Sequence, residues 1–121
     1  MKITSYKELR VWQEAKDLSI SVYKQTQDFP KSELYGLISQ LRRSAVSVPS
    51  NIAEGRHRGT RKDFIQFLRI ANGSLAELET QLNIAHELNY IKDIDYKNFT
   101  NHISTVSKML NGMIKKLEAK S

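Results

Sequence analysis

The sequence predicts an all-α fold of four helices, and two observations carry that expectation. Strong helix breakers are few, with five Gly and two Pro in 121 residues, and apolar side chains recur at spacings of three and four instead of alternating. A third observation bounds the class. No more than two apolar residues ever stand in a row, whereas a membrane-spanning helix needs about 20 and the apolar part of a signal sequence at least about 7. A soluble chain with no membrane partner is expected. One domain over residues 1–121 is long enough to bury a core without disulfides or metals. The absence of Cys suits a reducing, cytoplasmic setting and excludes thiolate catalysis and Cys-ligated zinc.

The first helix is expected to begin near Ser5, whose hydroxyl can cap the following amides while Glu8 answers it in a capping box. Its stripe is Val11, Ala15, Leu18 and Val22, widened by Leu9, Trp12, Ile20 and Tyr23. Phe29 and Pro30 close it, because a residue before proline is pushed out of the α region. Ser32 is the expected cap of the second helix, with the stripe Leu34, Leu37, Leu41, Ala45, Val48 and Ile52. The register runs unchanged across Pro49, which predicts one kinked helix rather than two. Gly55 is expected to end it in the left-handed conformation, with residues 56–59 as a polar connector.

Thr60 caps the third helix, with Asp63 in the first turn, where negative charge complements the helix dipole. The stripe Phe64, Leu68, Ala71, Leu75, Leu78, Leu82 and Ala85 is a coiled-coil-like seam. A second line through Phe67, Ser74, Gln81 and Leu88 predicts contacts on more than one side. Residues 89–95 make the last turn, and the fourth helix carries Tyr96, Phe99, Ile103, Val106, Leu110, Met113 and Leu117. Long helices joined by short connectors favour an up-down-up-down antiparallel four-helix bundle.

The net charge of +6 is unevenly spread. Residues 42–69 hold seven basic and two acidic side chains (+5), residues 70–107 sum to −3, and residues 108–121 to +3. Arg42, Arg43, Arg56, Arg58, Arg61, Lys62 and Arg69 make up the basic side of the first of these segments. A planar guanidinium donates two parallel hydrogen bonds to a phosphate, so this group is the candidate nucleic-acid-binding set. No aromatic residue stands between Arg56 and Lys62 to stack a base, which points to backbone contact rather than sequence readout. The alternative is a solvated surface or one paired with acidic side chains of neighbouring subunits.

A polar line runs along the second helix beside its apolar stripe: Gln40, Ser44, Ser47, Asn51 and Glu54. It reads as a small-residue seam that lets helices or subunits approach, or else as the lining of a groove. His57, His86 and His102 have no metal-site spacing, and neither a His-Glu-x-x-His motif nor a Gly-rich phosphate loop occurs. No metal, cofactor or catalytic residue is expected.

The run Ser47-Val48-Pro49-Ser50-Asn51-Ile52-Ala53-Glu54-Gly55 is specific. Val11-Trp12-Gln13, Ala15, Phe29-Pro30 and Glu33-Leu34-Tyr35-Gly36-Leu37 precede it; Lys62-Asp63-Phe64, Ala71, Gly73-Ser74-Leu75 and Glu77-Leu78-Glu79-Thr80-Gln81-Leu82 follow. Together they closely resemble the four-helix bundle proteins encoded in intervening sequences of bacterial 23S ribosomal RNA genes, over roughly residues 6–117. The resemblance implies a cyclic homo-oligomer, most often a pentamer, and gives Asn51, Glu54 and Gly55 a shared structural job alongside Pro49. It implies no catalytic residue. Members are sometimes labelled ribosomal proteins, a label that reflects gene position. The family is similar to accessory proteins of diversity-generating retroelements, basic pentameric barrels that bind nucleic acid and a reverse transcriptase. A ring would bury the surplus apolar lines and multiply a weak basic site by avidity. The expectation is therefore a non-enzymatic homo-oligomer that binds RNA or DNA backbone. Its alternative is a protein-interaction scaffold docking a polymerase or reverse transcriptase.

Overall fold

The computed structural model describes residues 5–120; residues 1–4 and 121 of the expected domain lie outside the described residues. Four α-helices span Arg10–Thr26 (α1), Leu37–His57 (α2), Arg61–Glu87 (α3) and Asp93–Glu118 (α4), and no strand occurs among the described residues. Helix α2 packs against α1 and α3, and α4 packs against α3 and α1, so the four close a cycle around one apolar core. Burial follows the apolar period. Val11, Ala15, Leu18 and Val22 of α1 are buried, as are Leu37, Leu41, Ala45, Val48 and Ile52 of α2. Leu68 to Ala85 of the α3 seam are buried at every stripe position, and Phe99, Ile103, Val106 and Leu110 join them from α4. Phe64, Tyr96, Met113 and Leu117 are partly buried at the margin, whereas Ile114, outside the expected stripe, is buried.

The starts of α1 and α2 differ from expectation. Ser5 caps a single 3-10 turn, Tyr6–Glu8, by accepting from the Lys7 amide at 3.1 Å, and extended backbone at Leu9 separates it from α1. Helix α1 then stops at Thr26, short of Phe29. Ser32 lies inside a second 3-10 turn, Lys31–Glu33, and does not cap α2. The cap comes from Glu33, whose Oε1 accepts from the Leu37 amide at 3.2 Å while its Oε2 accepts from the Tyr90 hydroxyl at 3.0 Å. That hydrogen bond, with burial and the nearby negative charge, pushes the Tyr90 phenol above its usual 10.0. Leu34 consequently falls in the connector and is 48% exposed instead of filling the core.

Helix α2 continues through Pro49. Proline supplies no amide to the carbonyl four residues back, which here belongs to Ala45. Ser19 of α1 replaces it: its buried hydroxyl lies 2.8 Å from the Ala45 oxygen and 3.0 Å from that of Ala15.

Gly55 does not end the helix. It sits buried within α2, and a Cβ there would lie 2.5 Å from the Cβ of Phe67 and 3.2 Å from Cδ1 of Phe64. Its missing side chain lets α3 approach α2, and the left-handed residue at the turn is Gly59, with φ 90°. Thr60 caps α3 as expected, accepting from the Asp63 amide at 3.1 Å. Asn89, with φ 64°, turns the chain between α3 and α4.

Candidate nucleic-acid interface

Residues 58–60 form a tight turn between α2 and α3, so Arg56 near the end of one helix and Arg61 at the start of the next stand on the same end of the molecule. The last turns of α4 arrive there as well. Arg61 Nη1 donates to the Lys120 carbonyl at 3.0 Å, which ties the start of α3 to the residues after α4. A cleft of about 550 Å³ opens between them. Arg56, Arg61, Lys116 and Lys120 contribute its cations, and Leu9, Phe64, Met113 and Leu117 its apolar surface. The positive end of the 27-residue α3 dipole adds to the field.

The cleft gathers two of the candidate arginines and leaves the others elsewhere. Arg58 is tied to Glu54 at 2.7 Å, with its guanidinium 4.9 Å above the Phe67 ring, and the Glu54 hydrogen bond raises its already high pKa further. Lys62 is exposed beside the cleft-lining Arg61. Arg69, two turns along α3, pairs with Glu118 of α4. Arg42 is half-buried at the far end of α2, about 21 Å from Arg56 along the helix at 1.5 Å per residue. Its Nε donates to the Thr26 hydroxyl at 2.9 Å, Nη2 to the Tyr23 carbonyl at 3.3 Å, and its guanidinium stacks 4.6 Å over the Tyr23 ring. It fastens the end of α1. Arg43 is exposed and lines a different, polar groove with Gln40, Ser44, Ser47, Ser74 and Glu77.

Lys116 and Lys120 are the members that sequence reasoning missed. The +3 of residues 108–121 was the signal for them, but only the packing of α4 shows that this charge meets the α2–α3 turn. Phe64 also supplies to the cleft the aromatic surface that residues 56–62 lack.

The polar line on α2 forms hydrogen bonds across to α3. Ser44 Oγ donates to Gln81 Oε1 at 2.7 Å, and the Ser47 and Ser74 hydroxyls share a bond of 2.8 Å. Asn51 Nδ2 donates to the Ser47 carbonyl at 2.8 Å and to its Oγ at 2.9 Å, orienting that hydroxyl. Gln40 is exposed at the groove edge.

Two of the three histidines make contacts between elements. His86 Nε2 is 2.7 Å from Asp93, its ring stacked 4.2 Å from that of Tyr96, and His102 Nε2 is 3.0 Å from Glu14. His57 is exposed at the end of α2. Among the described residues no three His, Asp or Glu side chains converge as a metal site. No helix there is long and apolar enough to cross a membrane.

Residues 7–112 match the family model described as 23S rRNA-intervening sequence protein. The chain belongs to that family. A solved structure similar to this intervening-sequence family member is the 1.70 Å crystal structure of a protein of unknown function from the S23 ribosomal protein family of Bacteroides thetaiotaomicron VPI-5482. The two superpose with a TM-score of 0.78 at 26% identity, covering 87% of this chain and 98% of that one. Among curated proteins, none matches the sequence.

Proposed function

We propose that this 23S rRNA-intervening sequence protein is a non-enzymatic, homo-oligomeric protein that binds RNA or DNA through the phosphate backbone. The observation that carries the reading is the convergence of Arg56, Arg61, Lys116 and Lys120, drawn from three helices and their ends, on one open cleft. Exposed Lys62 extends the basic surface, whereas Arg69 further along α3 is paired with Glu118. Arg42 is left out because its guanidinium is spent on α1.

The finer architecture proposed is an up-down-up-down antiparallel bundle. It is supported by the pairing of Gly55 with Phe67, Ser47 with Ser74 and Ser44 with Gln81, whose numbers rise on one helix as they fall on the other. Assembly into a ring, with a pentamer favoured by the family resemblance, is supported by an apolar groove on α1 and α2 that no helix among the described residues covers. Trp12, Ile20, Tyr23, Val46 and Pro49 line it. A cytoplasmic location, where RNA would be met, completes the proposal.

The test is the salt dependence of RNA binding, followed by fluorescence anisotropy. Four neutralised phosphates on a single strand give a slope of log K against log salt of about −3, at about −0.7 per phosphate. Replacing Arg61 and Lys116 together by Ala is expected to flatten that slope by about 1.4. A flat response in the native protein, or unchanged binding in the double variant, would overturn the proposal.

A further inference from the structure

The floor of the basic cleft is apolar, and phosphate binding alone does not call for that. Of the residues that line the cleft, Leu9 is buried and Phe64, Met113 and Leu117 are partly buried, whereas Arg61, Lys116 and Lys120 are exposed, which puts the apolar surface beneath a cationic rim. A flat cationic surface suffices for the outside of a duplex, which presents phosphates and sugars and keeps its base faces stacked inside. Its contact would leave this floor unfilled. An unpaired nucleotide offers both halves of the complement: an anionic phosphate for the rim and the flat face of a base for the floor. The volume of about 550 Å³ lies within the roughly 300–1,000 Å³ range of small-molecule sites.

We infer that this cleft is a pocket for one unpaired nucleotide, its base lying against Phe64 and Met113 and its phosphate among Arg61, Lys116 and Lys120. The inference rests on the proposed nucleic-acid binding and adds to it a preference for single-stranded segments or frayed ends. Base–aromatic contact tolerates every base, so the preference is for strandedness rather than sequence. The Arg61 bond to the Lys120 carbonyl holds one wall of the pocket in place. An acidic peptide would meet the same cations but has no flat face for the floor, and nucleic acid is the better fit.

The experiment uses the full chain and three labelled probes of about 12 nucleotides at one salt concentration. These are a mixed-sequence single strand, its duplex, and a single strand with the same phosphates but abasic sugars. The single strand is expected to bind about tenfold tighter than the abasic strand, consistent with one stacked base, and tighter than the duplex. Met113→Ala and Phe64→Leu are expected to bring the base-bearing strand toward the abasic one while leaving abasic binding unchanged. The abasic comparison on native protein stands even if a variant fails to fold. Equal binding of all three probes, with the salt slope retained, would overturn the pocket and leave the backbone-binding proposal standing. No binding of any probe would overturn both. With an oligo-aspartate peptide added as a fourth probe, tighter binding of it than of the single strand would overturn the nucleotide assignment in favour of a protein ligand.

Discussion

Gly55 is held to glycine by contact rather than by conformation. It lies inside α2, and the place where a methyl group would go is already taken by the Cβ of Phe67 at 2.5 Å. That atom is fixed to the α3 backbone, so relief requires the two helices to separate. Gly55→Ala is expected to destabilise the fold, the overpacking cost of about 1–3 kcal/mol outweighing a helix-propensity gain of about 1 kcal/mol at most. Gly112 is the control. It is helical and exposed in α4 with nothing within 4 Å of its hypothetical Cβ, so Gly112→Ala should stabilise by about 0.5–1 kcal/mol. Opposite shifts in melting temperature for the two variants check both statements; a stabilised Gly55→Ala protein would refute the close-contact account. Glycine's identity alone could not distinguish the two roles, because a left-handed helix end and a tight helix crossing both select it. Sequence reasoning placed the helix end at Gly55, but Gly59 holds the positive φ.

Between elements, the α1–α2 contact depends on an exchange of hydrogen bonds. Pro49 removes the amide partner of the Ala45 carbonyl, and Ser19 reaches it from the neighbouring helix at 2.8 Å. Ser19→Ala leaves that buried acceptor without its donor, at an expected cost of about 1–3 kcal/mol. In a Pro49→Ala background the intrahelical amide is restored, and the same Ser19→Ala change should then cost within about 0.5 kcal/mol of zero. Urea denaturation of the four proteins closes the cycle, and additive effects would remove the link. The apolar stripes of α2 and α3 were legible because their period reports directly which side chains must leave water. Helix starts were less so. Ser5 offers its hydroxyl to the next turn whether or not that turn continues as an α-helix, and only Leu9's extended backbone shows that it does not. Glu33 capping α2 from four residues before Leu37 has no simple sequence signature, and it depends on Tyr90 from a distant connector to hold its second oxygen.

At the scale of the whole molecule, the polar and apolar surfaces divide between two regions. The basic cleft lies where the α2–α3 turn meets the end of α4, while the apolar groove lies along α1 and α2. The charge imbalance of residues 42–69 was visible in the sequence, but its partition was not: Arg42 belongs to the α1 contact, and Lys116 and Lys120 join from a segment some fifty residues later. The groove explains the surplus apolar positions read on the first helix. Ile20, Tyr23 and Val46 are 45%, 43% and 40% exposed there, together with Trp12 beneath the Lys16 ammonium. Burial of such a patch against a second copy is worth roughly 25 cal/mol per Å² of apolar surface, before the cost of association is met. Light scattering of the native protein is therefore expected to give a mass several times the 13.9 kDa chain. Ile20→Glu with Val46→Glu places on each side of the groove a carboxylate that assembly would have to take out of water, without touching a buried core position. The double variant should retain its helical circular dichroism, fall to a single chain in light scattering, and lose RNA affinity well beyond any change at the cleft, because separate sites no longer act on one strand. A native protein that is monomeric at micromolar concentration would refute the ring. A variant that stays assembled would place the interface on another face, and one that becomes monomeric yet binds RNA as tightly as before would show that each cleft acts alone.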